Sequence, residues 1–306
     1  MTAIDAAVAE FEAHRPRLIG LGYRMLGTVA EAEDLVQETY VRWHRAAHDD
    51  VREPGAWLRT TMARLCIDAL RARKARREDY VGPWLPEPWR TADPGESDDA
   101  ARQLELADDL SVAFLLLLER LGPDERAAFL LHDIFDADYP DIATSLGKSE
   151  AAVRQLVSRA RTRVANERQR FRPTQRDQRE LARRFQQAVA AQDEHALIAL
   201  FRPDATLVTD GGGKALAALR PIYGADKIAR FFMGVTKDRN PDDMAFEECW
   251  LNNAPAIVVR DRSGNIFTTL SFEGEDGRIT TIYSVRNPDK LDRIGHHREN
   301  NTEHRT

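Results

Sequence analysis

A short run of basic, amide and hydroxyl side chains has the chemistry needed to read the edges of DNA bases. The candidates are Lys148, Arg154, Gln155, Ser158 and Arg159. Arginine can pair with guanine and glutamine with adenine in the major groove, provided that a short helix presents them together. Apolar residues at helical spacing predict such a helix directly after Ser149. The alternative is an ordinary amphipathic helix with a solvated basic face.

A second candidate set lies on a helix predicted to open near Pro54, where proline suits the first turn. The outward residues are Arg59, Arg64, Asp68 and Arg71, and further basic residues follow as far as Arg77. These side chains could contact DNA. Basic groups at a helix C-terminus are also favoured by the helix dipole, so both explanations stay open.

A third set could bind another protein. Asp34, Leu35, Gln37 and Glu38 lie in a helix whose start is marked by Thr28 and Glu31 at capping-box spacing. The predicted buried face of this helix consists of Leu35, Val36, Thr39, Tyr40 and Trp43. Taken alone, the opposite polar face is also what any solvated helix presents.

Local signals predict a helix-turn-helix around the first candidate set. One helix starts at Leu121-Gly122-Pro123, and a second follows the turn at residues 136–138. Gly147 provides a tight turn, and Ser149 is predicted to cap the last helix. The order of helix, glycine turn and helix therefore supports major-groove binding.

The net charge of −6 is concentrated in one segment. Residues 91–110 contain 1 basic and 7 acidic residues, which gives −6 for that segment alone. Prolines and glycines precede them, so residues 79–110 are predicted to be a linker. Because the acidic residues would repel phosphate, we expect the free protein to bind DNA poorly. The acidic total therefore does not exclude local DNA-binding patches.

The predicted linker also carries an apolar segment, Trp84, Leu85 and Pro86. An apolar pair held by stiff prolines suggests docking onto another surface. The alternative is a rigid spacer whose tryptophan packs locally.

Beyond a boundary near Pro173, the pattern predicts helices over residues 181–191 and 194–201, then a strand at 205–210. A helix at 226–236 and four further strands complete an α+β unit with an antiparallel sheet. A glycine run follows the first strand: Asp210, Gly211, Gly212, Gly213 and Lys214. This run is either a contact element that lets the backbone approach another surface or a simple hairpin turn.

Catalytic, metal and cofactor sites are not expected. His195 stands on a predicted helix with no acid/base partner suited to a buried site. The two cysteines, Cys66 and Cys249, lie far apart and suit a reducing cytoplasm. The longest apolar run, Val112 to Leu118, is too short to span a membrane, and the N-terminus lacks a basic signal region. Aromatic residues of the last unit could line a pocket for a small apolar ligand or form its core: Phe231, Phe232, Trp250, Phe267, Phe272 and Tyr283.

Two strings resemble bacterial extracytoplasmic-function sigma factors. Glu31-Ala32-Glu33-Asp34-Leu35-Val36-Gln37-Glu38-Thr39, with Trp57-Leu58-Arg59 and Asp68-Ala69-Leu70-Arg71, resembles sigma region 2. Ile142-Ala143, Leu146-Gly147 and Arg159-Ala160-Arg161 resemble the helix-turn-helix of sigma region 4. With Trp84–Pro88, Asp210–Lys214 and Asn287–Leu291, the whole chain resembles the SigJ-type subgroup, which carries a fused SnoaL-like domain of the cone fold.

The resemblance implies a multidomain chain with two all-α sigma domains and an α+β SnoaL-like domain. Its predicted boundaries are region 2 at 1–78, linker at 79–110, region 4 at 111–172, SnoaL-like domain at 173–291 and a polar tail at 292–306. It also implies that the Asp34–Glu38 set faces core RNA polymerase. The Arg59–Arg71 set would contact the minus-ten promoter element, with a captured base near His48–Arg52, and the Lys148–Arg159 set would read the minus-thirty-five element.

In this subgroup the C-terminal domain is implicated in controlling the sigma domains. The resemblance therefore makes residues 84–86 and 210–214 candidates for an intramolecular regulatory contact. Two other classes stay open: a helix-turn-helix regulator with a ligand-sensing domain, and a SnoaL-type enzyme with a DNA-binding arm. The first would bind duplex DNA without polymerase, and the second would need an acid/base pair in its cone.

Overall fold

The computed structural model describes residues 3–46, 51–76, 80–93, 110–168, 175–237 and 243–296. The chain folds into two units, and each unit is built from two separate stretches of sequence. The helical unit comprises Met1–Glu78 and Asp98–Arg168, and the sheet unit comprises Asp79–Ser97 and Gln169–Thr306. Residues 80–93 of the predicted linker thus belong to the sheet unit. Among the described residues, no helix is long and apolar enough to cross a membrane.

The first part of the helical unit contains α1 (Ala3–Leu26), α2 (Val29–Arg45) and α3 (Pro54–Arg76). Gly22 of α1 allows close packing, because a Cβ there would lie 2.5 Å from the Met62 side chain. Thr28 is the N-cap of α2, but its hydroxyl accepts no backbone N–H. It donates to the Glu31 carboxylate, which also pairs with Arg73 at 2.5 Å. The predicted capping box is therefore wrong in detail, since its glutamate is used to tie α2 to α3.

The second part contains α4 (Val112–Glu119), α5 (Pro123–Asp133), α6 (Tyr139–Leu146) and α7 (Glu150–Arg168). Asp138 caps α6 by accepting from the Asp141 N–H, and Gly147 ends that helix in the left-handed region with φ 61°. Ser149 accepts from the Ala152 N–H at 3.3 Å, directly before α7. These local features confirm the predicted helix-turn-helix.

The sheet unit contains the following elements: α8 (Gln175–Ala190), α9 (Glu194–Leu200), β1 (Phe201–Asp210), β2 (Ile222–Tyr223), α10 (Ala225–Thr236), β3 (Ala245–Leu251), β4 (Ala254–Arg260), β5 (Ile266–Glu275), β6 (Arg278–Val285) and α11 (Pro288–His296). The sheet order is β2-β1-β6-β5-β4-β3. The expectation of a purely antiparallel sheet is wrong, because β1 pairs with β6 in parallel. Hairpin signals link neighbouring strands only, and they leave the pairing of the first strand with the last unspecified.

The core of the sheet unit lies between the sheet and the helices α8, α9 and α10. Phe185 of α8 is 1% exposed and packs against Phe232 and Phe272, with ring centroids 4.9 and 5.3 Å away. At the other end, α11 runs past residue 292, where the polar tail was predicted to begin. Leu291 and Ile294 are buried on one helical face, which keeps this segment folded onto the unit.

Candidate nucleic-acid interface and strap contact

The exposed face of α7 carries most of the predicted base-reading residues. Arg154, Gln155, Ser158 and Arg159 are exposed, whereas Val153 and Val157 on the opposite face are at most 1% exposed. The Arg154 guanidinium lies 4.0 Å from the centre of the Tyr139 ring. This stacking leaves the arginine at the start of α7, the part of a recognition helix that enters the groove.

Lys148 lies apart from this exposed set. Its Nζ is 2.9 Å from Oδ2 of Asp124 on α5, and its side chain is one-third exposed. Arg159 is 4.0 Å from the Glu125 carboxylate, which also binds Arg163 at 2.9 Å. The carboxylates of α5 therefore partly neutralise the basic face of the helix-turn-helix.

The minus-ten candidates on α3 divide into two groups. Arg59 is half-buried and Asp68 is exposed. Arg64 donates to the carbonyl oxygens of Ser145 and Thr144 at 2.9 and 2.6 Å, and Arg71 donates to Asp124 at 2.7 Å. The structure thus gives Arg64 and Arg71 hydrogen-bond partners in region 4, although both residues remain exposed at the surface.

A cavity of about 740 Å³ lies beside this contact. Arg52, Trp57 and Arg64 line it from one side, and Asp141 and Thr144 of α6 line it from the other. Of the loop predicted to hold a captured base, residues 48–50 lie outside the described residues. The two remaining loop residues, Val51 and Arg52, both line the cavity.

The polymerase candidates form part of the outer face of α2. Asp34 and Gln37 are exposed, and Leu35 and Glu38 are half-buried. Glu38 accepts from Arg42 one turn later at 2.9 Å. The side chains of Asp34 and Gln37 are therefore accessible to solvent on this face of α2.

The apolar segment of the predicted linker lies along the sheet unit, and we name residues 80–93 the strap. Its anchor is Asp210, which is fully buried at the end of β1. One carboxylate oxygen of Asp210 accepts from the Tyr80 hydroxyl at 2.5 Å, and the other accepts from the Leu85 N–H at 2.8 Å. The same oxygen lies 2.8 Å from Lys290 Nζ. Leu85 and Pro86 are themselves buried, and Trp84 is half-buried.

Lys290 closes the contact from the other side. It donates to the Leu85 carbonyl at 2.5 Å and lies over the rings of Tyr80 and Trp84, 4.8 and 4.6 Å from their centres. Asn287 donates to the Tyr80 hydroxyl at 3.0 Å. Burial, followed by the hydrogen bond to Asp210, raises the pKa of Tyr80, so its hydroxyl stays a donor.

Sequence reasoning missed Tyr80, Asn287 and Lys290 as contact residues. The Asn287–Leu291 string was noted only as part of the resemblance. A usable signal was present in it, because Lys290 falls beside Leu291 and Ile294 on the buried side of a short helix. A lysine in that position needs a buried anion, and Asp210 is the one that the fold supplies.

The glycine run allows the backbone to pass close to its neighbours. A Cβ on Gly212, where φ is 57°, would lie 2.2 Å from Nδ2 of Asn287. A Cβ on Gly213 would lie 3.1 Å from Val81 of the strap. Lys214, in contrast, is half-exposed and pairs with Asp289. Of the two charged ends of this run, only Asp210 contacts the strap.

The second half of the strap extends the sheet at its β3 edge. Thr91 donates its N–H to the Trp250 carbonyl at 3.0 Å, and Asn252 donates to the Trp89 carbonyl at 2.8 Å. Arg90 binds Glu247 at 2.6 Å. The strap is therefore held at both ends, by a buried carboxylate and by backbone pairing.

The predicted apolar pocket receives no support from the aromatic residues proposed to line it. Phe232 and Phe272 belong to the core around Phe185, and Phe231 and Phe267 pack against that core. His195 is exposed on α9. These contacts favour the alternative that the aromatic residues form the core, since Phe185 of α8 packs against both Phe232 and Phe272.

Comparison with known proteins covers both units. The Sigma-70 region 2 family model matches residues 11–76, and the Sigma-70, region 4 model matches residues 111–164. The ECF RNA polymerase sigma factor SigJ of Mycobacterium tuberculosis is 36% identical over 299 residues, which cover 93% of each chain. The probable ECF RNA polymerase sigma factor SigI of the same species is 31% identical, over 95% of this chain and 97% of the relative.

The crystal structure of Mycobacterium tuberculosis SigJ matches with a TM-score of 0.73 and 35% identity, over 93% of this chain and 98% of that chain. The predicted architecture is confirmed: two all-α sigma regions and an α+β domain, whose sheet is mixed. The initiation factors of this family are not enzymes. The chain belongs to the extracytoplasmic-function RNA polymerase sigma factors of the SigJ type.

Proposed function

We propose that this sigma factor reads its promoters through α3 and α7, and that its sheet unit controls initiation through the strap. As a member of its family, the chain binds core RNA polymerase and promoter DNA and directs transcription initiation. The residue assignments and the control by the sheet unit are the proposed part. We also propose a cytoplasmic location, where core polymerase and promoters are found.

The exposed face of α7 carries the proposal for minus-thirty-five recognition. Arg154, Gln155, Ser158 and Arg159 project together from a capped helix start, and they combine donors and acceptors suited to base edges. Asp34 and Gln37 on α2 are proposed to contact polymerase with Leu35 and Glu38. Arg59, Arg64, Asp68 and Arg71 are proposed for the minus-ten element.

Transcription with purified core polymerase tests base reading. Replacing Arg159 with Ala should weaken promoter binding by about 1–3 kcal/mol if the guanidinium makes a bidentate base contact. Arg161→Ala is the matched control, because Arg161 is an equally charged residue of α7 whose guanidinium binds Asp133 at 2.8 Å. An equal loss for Arg159→Ala on every DNA sequence would show a phosphate contact instead. Binding of duplex DNA without core, and no promoter opening when core is added, would indicate a helix-turn-helix regulator instead.

The strap contact carries the proposal for control by the sheet unit. Residues 80–93 join the two sigma regions in sequence, yet Leu85 is fully buried in the sheet unit. Docking of the strap therefore leaves fewer free residues between region 2 and region 4. Its release would increase the distance that this connecting segment can span.

Run-off transcription with strap variants tests this control. Leu85→Ala should release the strap, because truncating a buried leucine costs about 2–5 kcal/mol. Val81→Ala is the control, since Val81 is 51% exposed on the same strap. We expect promoter output to change with Leu85→Ala and not with Val81→Ala. Equal output from both variants and the parent chain would remove the regulatory role of the strap.

A further inference from the structure

Helix α6 of region 4 contacts the face of α3 that is proposed to bind the minus-ten element, at Thr60 and Arg64. Arg64 donates to the Thr144 and Ser145 carbonyls, and the Thr60 and Ser145 hydroxyls lie 2.7 Å apart. Both carbonyls belong to the last turn of α6, where carbonyl groups lack partners within the helix. A guanidinium at this end also suits the helix dipole. Arg64 therefore supplies hydrogen-bond donors to carbonyl oxygens at the end of α6, and these oxygens supply acceptors to its guanidinium.

One carboxylate joins a DNA-binding candidate of each region. Oδ1 of Asp124 lies 2.7 Å from Arg71, and its Oδ2 lies 2.9 Å from Lys148. Arg71 is a candidate for the minus-ten element and Lys148 for the minus-thirty-five element. Asp124 thus offers each of these two cations an anionic oxygen, which is the chemistry that a DNA phosphate offers.

A buried arginine holds the same two regions together away from the proposed DNA-binding residues. The Arg126 side chain on α5 is 3% exposed. It donates to the Met25 carbonyl at the end of α1 and to Glu119 of α4 at 2.9 Å. Region 4 therefore contacts region 2 through the buried Arg126 hydrogen bond as well as through exposed ion pairs.

We propose that region 4 acts as an intramolecular competitor of promoter DNA for α3, with Asp124 in place of a DNA phosphate. In this closed form Arg64, Arg71 and Lys148 are already bound within the helical unit, so initiation requires α6 to leave α3. This inference rests on the proposed roles of α3 and α7 in DNA binding. Ion pairs that are partly exposed are individually weak, about two- to fivefold each in an equilibrium constant, so polymerase and DNA together can open the closed form.

A reversible crosslink tests the competition. Thr60→Cys with Ser145→Cys places two thiols where hydroxyls now lie 2.7 Å apart, close enough for a disulfide after a small shift. The native thiols should not interfere, because burial raises the pKa of Cys66, and burial raises the pKa of Cys249 to about 11. The full-length double variant is assayed with core polymerase on promoter DNA, oxidised and then reduced.

We expect the free chain to crosslink on oxidation, to lose initiation while oxidised and to regain it after reduction. Each single variant should keep its output under the same oxidant. Full initiation by the crosslinked chain would overturn the proposal, and so would the absence of a crosslink in the free chain. Failure of the reduced double variant would count against the proposed function or the fold of that variant, and the competition would then be decided by a second measurement.

The second measurement removes the shared carboxylate. Binding of a fluorescent single-stranded oligonucleotide with the minus-ten sequence is compared for the full-length chain, Asp124→Asn and Asp133→Asn. Asp133 is the matched control, because it lies on the same helix and pairs with Arg161 inside region 4. We expect Asp124→Asn to bind about two- to fivefold more tightly than the parent chain, and Asp133→Asn to bind as the parent does. Equal binding by all three proteins would refute the role of Asp124.

Discussion

The buried ion pair between Lys290 and Asp210 allows a quantitative test of the strap contact. The Lys290 side chain is 8% exposed and that of Asp210 is 0% exposed, with 2.8 Å between nitrogen and oxygen. Lys290→Met keeps the length of the side chain but leaves the Asp210 charge buried with only its hydrogen bonds from Tyr80 and Leu85. Breaking a buried pair in this way costs about 3–5 kcal/mol.

The same chain supplies a matched control. Lys214 also pairs with an aspartate, Asp289, but these side chains are 54% and 59% exposed. Lys214→Met should therefore cost no more than about 1 kcal/mol. Both variants exchange a lysine for a methionine, so the difference between them measures the effect of burial.

Urea titration followed by tryptophan fluorescence is a suitable assay, because Trp84, Trp89 and Trp250 lie in the sheet unit. With a denaturant slope of about 2 kcal/mol/M, Lys290→Met should lower the midpoint of that unit by about 1.5–2.5 M. Lys214→Met should lower it by less than about 0.5 M. Combining Lys290→Met with Asp210→Asn should cost less than the sum of the single changes, because no buried charge is then left unpaired. Similar midpoints for the two lysine variants would refute this account of the anchor.

Two further measurements concern the glycine run and the thiols. Gly212→Ala should destabilise the sheet unit by more than Gly277→Ala: both positions have positive φ, but only at Gly212 would the new methyl group meet Asn287, whereas Gly277 has open space. Equal unfolding midpoints would show that Asn287 moves aside freely. Native Cys249 should react slowly with a thiol reagent at pH 8 and faster as the pH rises towards 11, because burial raises its pKa to about 11 and keeps the thiol protonated below that value. Rapid stoichiometric labelling of the native protein at pH 8 would contradict the burial of Cys66 and the raised pKa of Cys249.

Features that depend on near neighbours in sequence could be predicted well. Ser149, Gly147 and the apolar spacing of α7 specify a helix-turn-helix because caps, turns and helical periodicity act over a few residues. The exposure of Arg154 and Arg159 follows from the same periodicity.

Features that depend on distant partners could not be predicted in the same way. Periodicity places Arg64 on an outer face of α3. It does not predict that the guanidinium donates hydrogen bonds to carbonyl oxygens 80 and 81 residues away. The parallel pairing of β1 with β6 and the burial of Lys290 have the same origin, because each depends on a partner that only the assembled sheet brings near.

The pairing of Phe185 with aromatic residues of the sheet illustrates a further limit. Composition shows that the unit contains enough aromatic residues to line a pocket, but the volume left between sheet and helices depends on packing. In this unit Phe185 of α8 packs against Phe201, Phe232 and Phe272, a set of contacts that composition does not reveal.

The order of synthesis gives the strap an additional significance. Leu85 leaves the ribosome 125 residues before Asp210 and 205 residues before Lys290, the two groups that bind its backbone. At about 5–20 residues per second, the later partner follows after roughly 10–40 s. Both sigma regions are complete by residue 168, so a nascent chain carries its promoter-reading helices before the lysine that clamps the strap has been made. Each newly made molecule thus passes through an interval in which its strap is still unclamped.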